Sequence, residues 1–468
     1  MGNKDQNKGS SWHKWDLHVH TPYTNLNKKY KCSEEEFIQK LCDSKIDCIG
    51  LTNYFKFNKE EFELKEKIEK RGIKVFYNLE VRLDYQNKED QCLDFHIIFS
   101  DKVTQQEIDN FLRNADANVG GTEKKLADLE KDDFDKAVVN FDQLLECLEK
   151  ESLKLRGKYL LGFLSRGHGS SRSSSNYEKI VKKVHFLIHS SDKQENLKKD
   201  REYWLKYNKP LIQSSDAHEE KQIGNKYTWI KAEKTFEGLK QIIYEPETRV
   251  SIDKEKSQDP LYKIDSVGLN FDEEVKTTNE QDDTPFCYAG FNETLFFSPY
   301  FTCVIGGRGS GKSTLLQLIA SAIKNKSFVK GLKHETIQKY IEIQPDIDII
   351  GQKCTAVLVV LLSLGNNPII IDEPEAHLDS ALIANYLVTL IKKQKQKRQI
   401  IFATHNANFV LNADVELIIQ LKNENNKIVA QSFMIESDAY KEDLLKLEGG
   451  EKAFKDRERK YGITKDKN

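Results

Sequence analysis

The chain has 468 residues, of which 38% are hydrophobic and 31% are charged, and its formal net charge is −2. This composition excludes a wholly disordered chain, and the length suits two or three domains with buried cores. No apolar run of about 18 residues occurs, so the sequence predicts no membrane span. The eight cysteines include no Cys-x-x-Cys pair, which favours free thiols. The polar N-terminus lacks a secretory leader, so we expect a cytoplasmic protein.

In chain order, the first region runs from 12 to 252 and alternates short β-branched segments with charged helical ones. Such alternation predicts an α/β domain with functional residues at the carboxyl ends of its strands. Within it, 101–158 is expected to be mostly helical, and 141–155 has 3.6-residue periodicity. The polar stretch 253–284 predicts a linker with one or two edge elements, and 285–468 predicts a second α/β domain.

The run "KKQKQKR" at 392–398 places five positive charges in seven residues. One interpretation is a solvated helix end, because cations are favoured at helix C-termini. The other is a contact with the phosphate backbone of a nucleic acid. The sequence leaves both open.

The second region contains "GGRGSGKST", which fits the phosphate-binding pattern G-x-x-x-x-G-K-[ST] between an apolar strand and an amphipathic helix. Backbone N–H groups of such a loop surround phosphates at a helix N-terminus. Lys312 is expected to reach the β- and γ-phosphates of ATP, and Ser313 to bind Mg²⁺. The candidate nucleotide-binding residues are Gly306, Gly307, Arg308, Gly309, Ser310, Gly311, Lys312, Ser313, Thr314 and Asp372.

Two later strands end in candidate catalytic residues. "PIIIDEP" ends in Asp372, expected in the Mg²⁺ shell, and Glu373, placed to act as general base toward water. "IIFATHN" ends with His405, which is suited to contact a γ-phosphate. We therefore expect Glu373 and His405 to be catalytic.

These motifs together resemble the ABC/SMC-type ATPase head, with a D-loop at 378–380. The resemblance implies ATP binding and a homo-oligomer, since such heads complete their sites across an interface. The family's signature is replaced by "DIIGQKC" at 348–354, which lacks the serine, and no long coiled-coil arm fits before it. These departures put efficient two-headed hydrolysis in doubt more than ATP binding. Either Gln338 or Gln344 fits the Q-loop position.

Potential metal ligands recur in the first region. "DLHVHT" and "SSDAHEE" each place two of them at i and i+2, on one side of an extended segment. One residue ends the apolar "VFYNLE", and another opens "HIIFS". A lone His-x-His is weak evidence, but several ligands at successive strand ends predict a metal site. The candidate ligands are His18, His20, Glu80, His96, Asp216 and His218.

This arrangement resembles the PHP (polymerase and histidinol phosphatase) superfamily, a distorted (β/α)₇ barrel with up to three metals at its mouth. The resemblance implies a first metal at His18, His20 and Asp216, and a second metal bridged by Glu80 and held by His96. Mn²⁺, Zn²⁺ or Fe²⁺ would be the cofactor.

By the same resemblance, His218 would complete the cluster. His168 stands where a further ligand is expected, although a loop histidine is the simpler interpretation. "GLTNYFKF" has Asn53 and Tyr54 where the family has an Asp-His pair for the remaining metal position. We therefore expect a reduced site of about two ions rather than three, which suffices for phosphodiester cleavage.

The order of the two regions resembles the TrlF-like PHP-ATPases of bacteria. It implies an ATP-gated, metal-dependent phosphoesterase, a nuclease acting on DNA rather than RNA, in defence against phage. Two alternatives remain open. One is a nucleotide-dependent assembly protein with an inactive PHP module, and the other is a hydrolase of small phosphomonoesters.

Overall fold

The computed structural model describes residues 8–86, 92–165, 174–189, 194–252, 258–278, 283–324, 326–344, 365–374, 387–437 and 445–446. The chain divides into two compact units. The first is Trp12–Lys256, and the second is Ser257–Asn468 together with Met1–Ser11.

Strands and helices alternate through most of the first unit. Its strands are β1 (Trp12–His20), β2 (Cys48–Tyr54), β3 (Lys74–Gln86), β4 (Cys92–Phe99), β5 (Asp116–Val119), β6 (Thr122–Lys125), β7 (Ala137–Val138), β8 (Tyr159–Leu164), β9 (Phe186–His189), β10 (Leu211–Gln213), β11 (Thr228–Lys231) and β12 (Val250–Ser251). Its helices are α1 (Glu34–Asp43), α2 (Lys59–Glu69), α3 (Gln105–Asn114), α4 (Phe141–Leu148), α5 (Ser174–Val181), α6 (Gln194–Trp204), α7 (Phe236–Tyr244) and α8 (Pro246–Arg249).

Nine of these strands form one sheet in the order β10-β9-β8-β4-β3-β2-β1-β11-β12. The sheet curls until it is nearly closed. The main-chain N–H of His20 in β1 donates to Ala217 O, just after β10, at 3.0 Å, and the Thr228 hydroxyl of β11 donates to Gln213 O of β10 at 2.8 Å. The sheet is mixed, because β4 is antiparallel to both β3 and β8. The mixed α/β character is as expected, and the sevenfold β/α repeat stays a prediction.

The interval 101–158 departs from the helical expectation. β5, β6 and β7 form a separate three-stranded sheet there. The periodic stretch 141–155 is helical only as far as Leu148, and a short 3₁₀ turn, Glu151–Leu153, follows. In β5, Ala117 is buried and the next residue, Asn118, is exposed. Burial therefore changes from one residue to the next, as in a strand, although the longer interval suggested a helix.

The nine-stranded sheet has apolar packing on both faces. Trp15, Leu17 and Phe76 belong to a cluster that includes Phe236 and Leu239 of α7. A larger cluster combines other residues of the sheet strands with residues from α1, α2 and α3. Three polar residues of β1, Asp16, His18 and His20, are also buried.

The second unit contains three sheets. Its strands are β13 (Ser266–Asn270), β14 (Lys276–Thr278), β15 (Asp283–Pro285), β16 (Asn292–Phe296), β17 (Phe301–Ile305), β18 (Ile341–Gln344), β19 (Ile369–Asp372), β20 (Ile400–Thr404), β21 (Leu417–Glu424) and β22 (Lys427–Phe433). Its helices are α9 (Lys312–Lys324), α10 (His334–Tyr340), α11 (Val388–Gln394) and α12 (Ala407–Asn412). The sheet orders are β19-β20-β17-β21-β22, β16-β13-β18 and β14-β15.

The stretch expected as a linker contributes to this unit. β13 is buried between β16 and β18, so it is a central strand rather than an edge element. The N-terminal residues also join the unit. The N–H of Ser10 donates to Glu416 O at 3.0 Å, and its hydroxyl donates to a Glu436 carboxylate at 2.6 Å.

The basic run at 392–398 is only partly a solvated helix end. Lys395 is fully buried, and its ammonium lies 2.8 Å from Asp414 Oδ2 and 3.0 Å from Glu416 Oε1. Arg398 is also buried, and it donates to Asn367 O. Two of the five charges therefore stabilise the fold. Across the part of the chain that the structure describes, no helix combines the length and apolarity needed to cross a membrane.

Candidate metal centre and nucleotide site

β1 carries the first two candidate ligands on one face. His18 and His20 are two residues apart in β1, and their imidazole Nε2 atoms face each other at 3.1 Å. Both imidazoles are almost completely buried. Burying an imidazole without a polar partner costs free energy, so the groups around His18 and His20 determine the role of these two residues.

Two carboxylates lie against the same pair of imidazoles. His18 Nε2 lies 3.1 Å from Glu80 Oε2 and 3.1 Å from Asp216 Oδ1. His20 Nε2 lies 3.0 Å from the same Glu80 oxygen and 3.7 Å from the same Asp216 oxygen. The two imidazole nitrogens are themselves 3.1 Å apart. The structure therefore brings residues from three distant parts of the sequence to one point.

Asp216 reaches the cluster from a left-handed backbone conformation, with φ of +52°. An Asp residue tolerates this region better than most residues do. Its side chain is about half exposed, whereas those of His18 and Glu80 are buried. The cluster is thus closed on the side of the sheet and accessible beside Asp216.

The charges of the cluster stabilise one another. Burial alone lowers the pKa of His18, but Asp216 and Glu80 outweigh it and raise that pKa to about 9. Burial alone would raise the pKa of Glu80, but His18 holds it well below its usual range. A positive charge is therefore favoured among these atoms.

The donor set fits a divalent cation. Ligands at about 2.0–2.1 Å from a tetrahedral metal are roughly 3.3 Å from one another, close to the separations given above. Two groups of three residues have ligand atoms all within 4.8 Å of one another, namely His18 with His20 and Glu80, and His20 with Asp216 and His218. Imidazole and carboxylate together suit Zn²⁺, Mn²⁺ or Fe²⁺.

His96 lies beside the cluster but belongs to neither group. β3 and β4 pair antiparallel, and Glu80 is directly opposite His96, so both residues lie in the middle of their strands rather than at strand ends. The His96 ring centroid is 4.4 Å from that of His18. Its Nδ1 contacts the Asn78 side chain, and its buried Nε2 has no hydrogen-bond partner among the described residues. Burial and the charge of His18 lower the pKa of His96 to about 3. Its imidazole is therefore neutral and can offer a nitrogen lone pair to a cation.

His218 faces Asp216 on one side of its ring and Tyr54 on the other. Its Nδ1 is 3.0 Å from Asp216 O, and its Nε2 is 3.0 Å from the Tyr54 hydroxyl. Burial, followed by the charge of His20, lowers the pKa of His218 to about 4. Burial and the charge of Glu80 raise the pKa of Tyr54. Sequence reasoning missed this contact, because it depends on the pairing register of β2 with β3, which puts Tyr54 beside Glu80.

The Asn53 side chain is held by hydrogen bonds to α2 and to nearby main-chain groups. Its Nδ2 donates to Glu61 Oε2 at 2.6 Å, and its Oδ1 accepts from the N–H groups of Asn25 and Tyr54, each at 2.8 Å. The Thr21 hydroxyl donates to the other Glu61 oxygen at 2.7 Å. Asn53 therefore has a defined partner in Glu61, and its replacement of a ligand at the remaining metal position stays a prediction.

In the second unit, the glycine-rich loop lies between β17 and α9. Gly309 and Gly311 have φ of +78° and +86°, a conformation that glycine adopts without strain. The Lys312 ammonium is mostly buried and donates to the carbonyls of Gly306 and Gly307, at 2.9 and 3.1 Å. This places the lysine charge over the loop whose backbone would hold phosphates.

The carboxyl ends of β19, β17 and β20 meet at the same edge of the five-stranded sheet. Asp372 is in register with Ala403, and Ile305 with Thr404. Glu373 has φ of +46°, and its Oε1 lies 3.3 Å from His405 Nδ1. Both side chains are exposed. The structure thus brings the two candidate catalytic residues together beside the glycine-rich loop.

The remaining nucleotide-site candidates differ in their exposure to solvent. Gly307, Arg308, Gly309 and Ser313 are exposed, Thr314 is partly buried, and Ser310 is buried. Gln338 lies in α10, and Gln344 ends β18. His168, the signature segment 348–354 and the D-loop 378–380 lie outside the described residues.

A family model described as PHP-associated matches residues 194–243. No curated protein matches the chain. A protein from Bifidobacterium adolescentis described as a metal-dependent phosphoesterase is 10% identical, with 44% of this chain and 87% of that chain covered and a TM-score of 0.26. The SMC head domain from Thermotoga maritima is 14% identical, with 36% and 99% covered and a TM-score of 0.25. PsfC from Pseudomonas syringae is 13% identical, with 47% and 82% covered and a TM-score of 0.32. Similarities this weak do not assign a family.

Proposed function

We propose that the protein is a metal-dependent phosphoesterase that cleaves phosphodiesters, with a nucleotide-binding second unit that regulates the activity. The observation that carries this proposal is that the imidazole nitrogens of His18 and His20 each lie within 3.0–3.7 Å of a carboxylate oxygen of Glu80 and one of Asp216. Such buried convergence of imidazole and carboxylate is costly without a cation, and it leaves one side accessible.

Each residue has a defined task at this centre. His18, His20 and Glu80 would hold the cation rigidly, because their side chains are buried and packed. Asp216, which is partly exposed, would hold it from the solvent side, where a substrate enters. A bound divalent cation supplies a Lewis acid that polarises a phosphoryl oxygen. The Thr24 hydroxyl, 3.1 Å from His20 Nδ1, orients that ring.

The second unit is proposed to bind ATP with Mg²⁺. Lys312 lies over the glycine-rich loop, and Asp372, Glu373 and His405 lie at the adjoining strand ends. Lys312 would neutralise phosphate charge, and Glu373 would accept the proton of an attacking water. ATP binding is proposed to license the phosphoesterase unit.

The substrate is proposed to be a nucleic acid, DNA rather than RNA, and the role to be defence against phage. The support for these finer assignments is the resemblance of the two-region order to the TrlF-like PHP-ATPases. The PHP-associated match at 194–243 is consistent with the first half of that resemblance.

The first test is metal content combined with a substrate screen. Purified protein, loaded with Mn²⁺ or Zn²⁺, is assayed on DNA, RNA and a small phosphomonoester, with and without ATP. His20→Gln and the isosteric Asp216→Asn should each lower metal content and reduce cleavage by about 100-fold or more. His13→Gln is the matched control, because His13 lies in the same strand and pairs with Asp47.

Each outcome identifies one function. ATP-dependent cleavage of DNA or RNA supports the proposal. Turnover of phosphomonoesters alone would make the protein a small-molecule phosphatase. ATP-dependent assembly without turnover, in protein that binds no metal, would leave the first unit as a binding module.

A further inference from the structure

The Tyr54 hydroxyl lies directly against the His218 side chain at the metal centre. Tyr54 Oη is 3.0 Å from His218 Nε2. The Tyr54 ring stacks on the His20 ring, with centroids 4.5 Å apart and an interplanar angle of 20°. The His20 ring in turn stacks on that of His218 at 4.0 Å. Tyr54 is thus held by packing, so its hydroxyl has a defined position.

The hydrogen-bond partners determine which imidazole nitrogen of His218 carries the proton. Its Nδ1 lies 3.0 Å from the main-chain oxygen of Asp216, and a carbonyl oxygen can only accept. Nδ1 therefore donates, and a neutral ring keeps its lone pair on Nε2. The Tyr54 hydroxyl must donate to that lone pair. The hydroxyl can also accept from Asn27 Nδ2, which lies 3.4 Å away.

An imidazole lone pair that accepts a hydrogen bond cannot bind a cation at the same time. Nε2 is the only nitrogen of His218 left for a metal, and Tyr54 covers it. The four donor atoms of His18, His20, Glu80 and Asp216 do not depend on His218. The two groups of potential ligands share His20, whose Nδ1 faces the Thr24 hydroxyl and whose Nε2 can therefore bind only one cation. What a second position adds is His218 Nε2, and the Tyr54 hydroxyl covers it.

We propose that Tyr54 is a latch on a second cation position at His218. While its hydroxyl donates to His218 Nε2, only the first position binds a divalent cation tightly. The second position fills when the hydroxyl moves away, with Asp216 shared between the two ions. The inference rests on the proposed metal centre and refines its occupancy to one tightly bound ion per chain, where the sequence predicts about two.

The test is the Tyr54→Phe variant of the full chain. Phenylalanine keeps the ring that stacks on His20 and removes only the hydroxyl. Equilibrium dialysis against Mn²⁺ alone should give one tight ion in the wild type. The variant should bind a second ion at least about tenfold more tightly than the wild type does. Tyr159→Phe is the matched control, because it removes a hydroxyl that bonds Glu149 elsewhere in the same unit.

A second pair of variants does not depend on the behaviour of Tyr54→Phe. His218→Ala should keep the one tight ion, because His218 is not its ligand, whereas His20→Ala should lose it. Two tight ions in the wild type, or loss of the tight ion in His218→Ala, would overturn the latch and leave the metal centre intact. So would equal binding curves for Tyr54→Phe and wild type. Absence of any bound ion in the wild type would overturn the metal centre, and the latch with it.

Discussion

At the scale of single residues, Asn53 and Glu61 form a buried, hydrogen-bonded pair. Glu61 is fully buried on α2, and it accepts hydrogen bonds from the Asn53 side chain, the Thr21 hydroxyl and the Asn58 N–H. Burial raises its pKa to about 7, although these donors partly oppose the shift. An amide at position 53 is therefore required as a donor to a carboxylate.

Asn53→Asp should destabilise the first unit without adding a metal ion. The change places a second carboxylate 2.6 Å from Glu61 Oε2 and removes the donor. We expect the free energy of unfolding to fall by about 3 kcal/mol. Urea denaturation monitored by tryptophan fluorescence measures the free energy of unfolding of this unit, since all four tryptophans lie in it.

Asn118→Asp is the control for that variant, because Asn118 is exposed and its Oδ1 only accepts from Gly121 N–H. Unchanged stability in Asn53→Asp, together with a gain of bound metal, would contradict the role of Asn53 as a donor to Glu61.

Glu61→Gln should change how the stability of the first unit depends on pH. Glu61 has a pKa of about 7 in the folded chain and about 4.3 when unfolded. Between these values the folded state binds the proton more tightly, so its contribution to stability declines as pH rises from about 4.3 to 7. The decline amounts to at most about 4 kcal/mol. The glutamine variant should lack it, and urea midpoints from pH 4.5 to 7.5 would show a flatter profile than the wild type. A profile parallel to that of the wild type would mean that Glu61 is ionised throughout.

At the scale of elements, the pairing of β3 with β4 contributes Glu80 to the metal centre and places His96 beside it. Their antiparallel register puts Glu80 opposite His96 and Arg82 opposite Asp94. Side chains directly across an antiparallel pair are close neighbours on one face of the sheet. The polar face of the two strands is therefore a product of register, and a shift by one residue would turn every ligand to the other side.

The buried charge after α11 provides a test at the same scale. Lys395→Met should leave Asp414 and Glu416 without their cation, which costs about 3–5 kcal/mol in buried pairs. Calorimetry should show the transition of the second unit about 10 °C lower. The exposed Lys393→Met should change it by less than about 2 °C. If both variants melt like the wild type, Lys395 is solvated and the whole run is a surface feature.

At the scale of the whole molecule, the two units contain different chemistry and can be disabled separately. Lys312→Ala removes the ammonium that faces the phosphates and should weaken ATP binding by about 100-fold or more. Its metal content should equal that of the wild type, and any stimulation of cleavage by ATP should disappear. Isothermal titration with ATP and metal analysis of the same sample measure both. ATP bound as tightly as in the wild type would mean that the nucleotide site is misassigned.

Assembly is the remaining prediction for the whole chain. Glu373→Gln should keep ATP binding and lose hydrolysis, since an amide cannot accept the proton of water. It should therefore accumulate as an ATP-bound oligomer, visible as at least a doubling of mass in light scattering. A monomer with and without ATP would contradict the interface expected from ABC-type heads. Turnover equal to that of the wild type would show that another base acts.

The sequence by itself determines the chemistry that each region can offer. The spacing of the glycine-rich loop, the two carboxylates after "PIII" and the paired ligands in "HVH" and "DAH" are local patterns. Alternation along a strand then dictates which neighbours share a face, so His18 with His20 could be predicted from β1 alone. The alternating strands and helices likewise indicated a mixed α/β chain.

Only the tertiary structure decides which of these groups meet. The antiparallel β4, the direction of Asn53 toward α2, the contact of Tyr54 with His218, and the pairing of Ser10 with Glu436 all join residues distant in sequence or on separate elements. Such contacts depend on strand register and on the closure of the sheet, which no local window contains. Residue types therefore indicate a metal centre, whereas long-range packing determines which lone pairs are open to a cation.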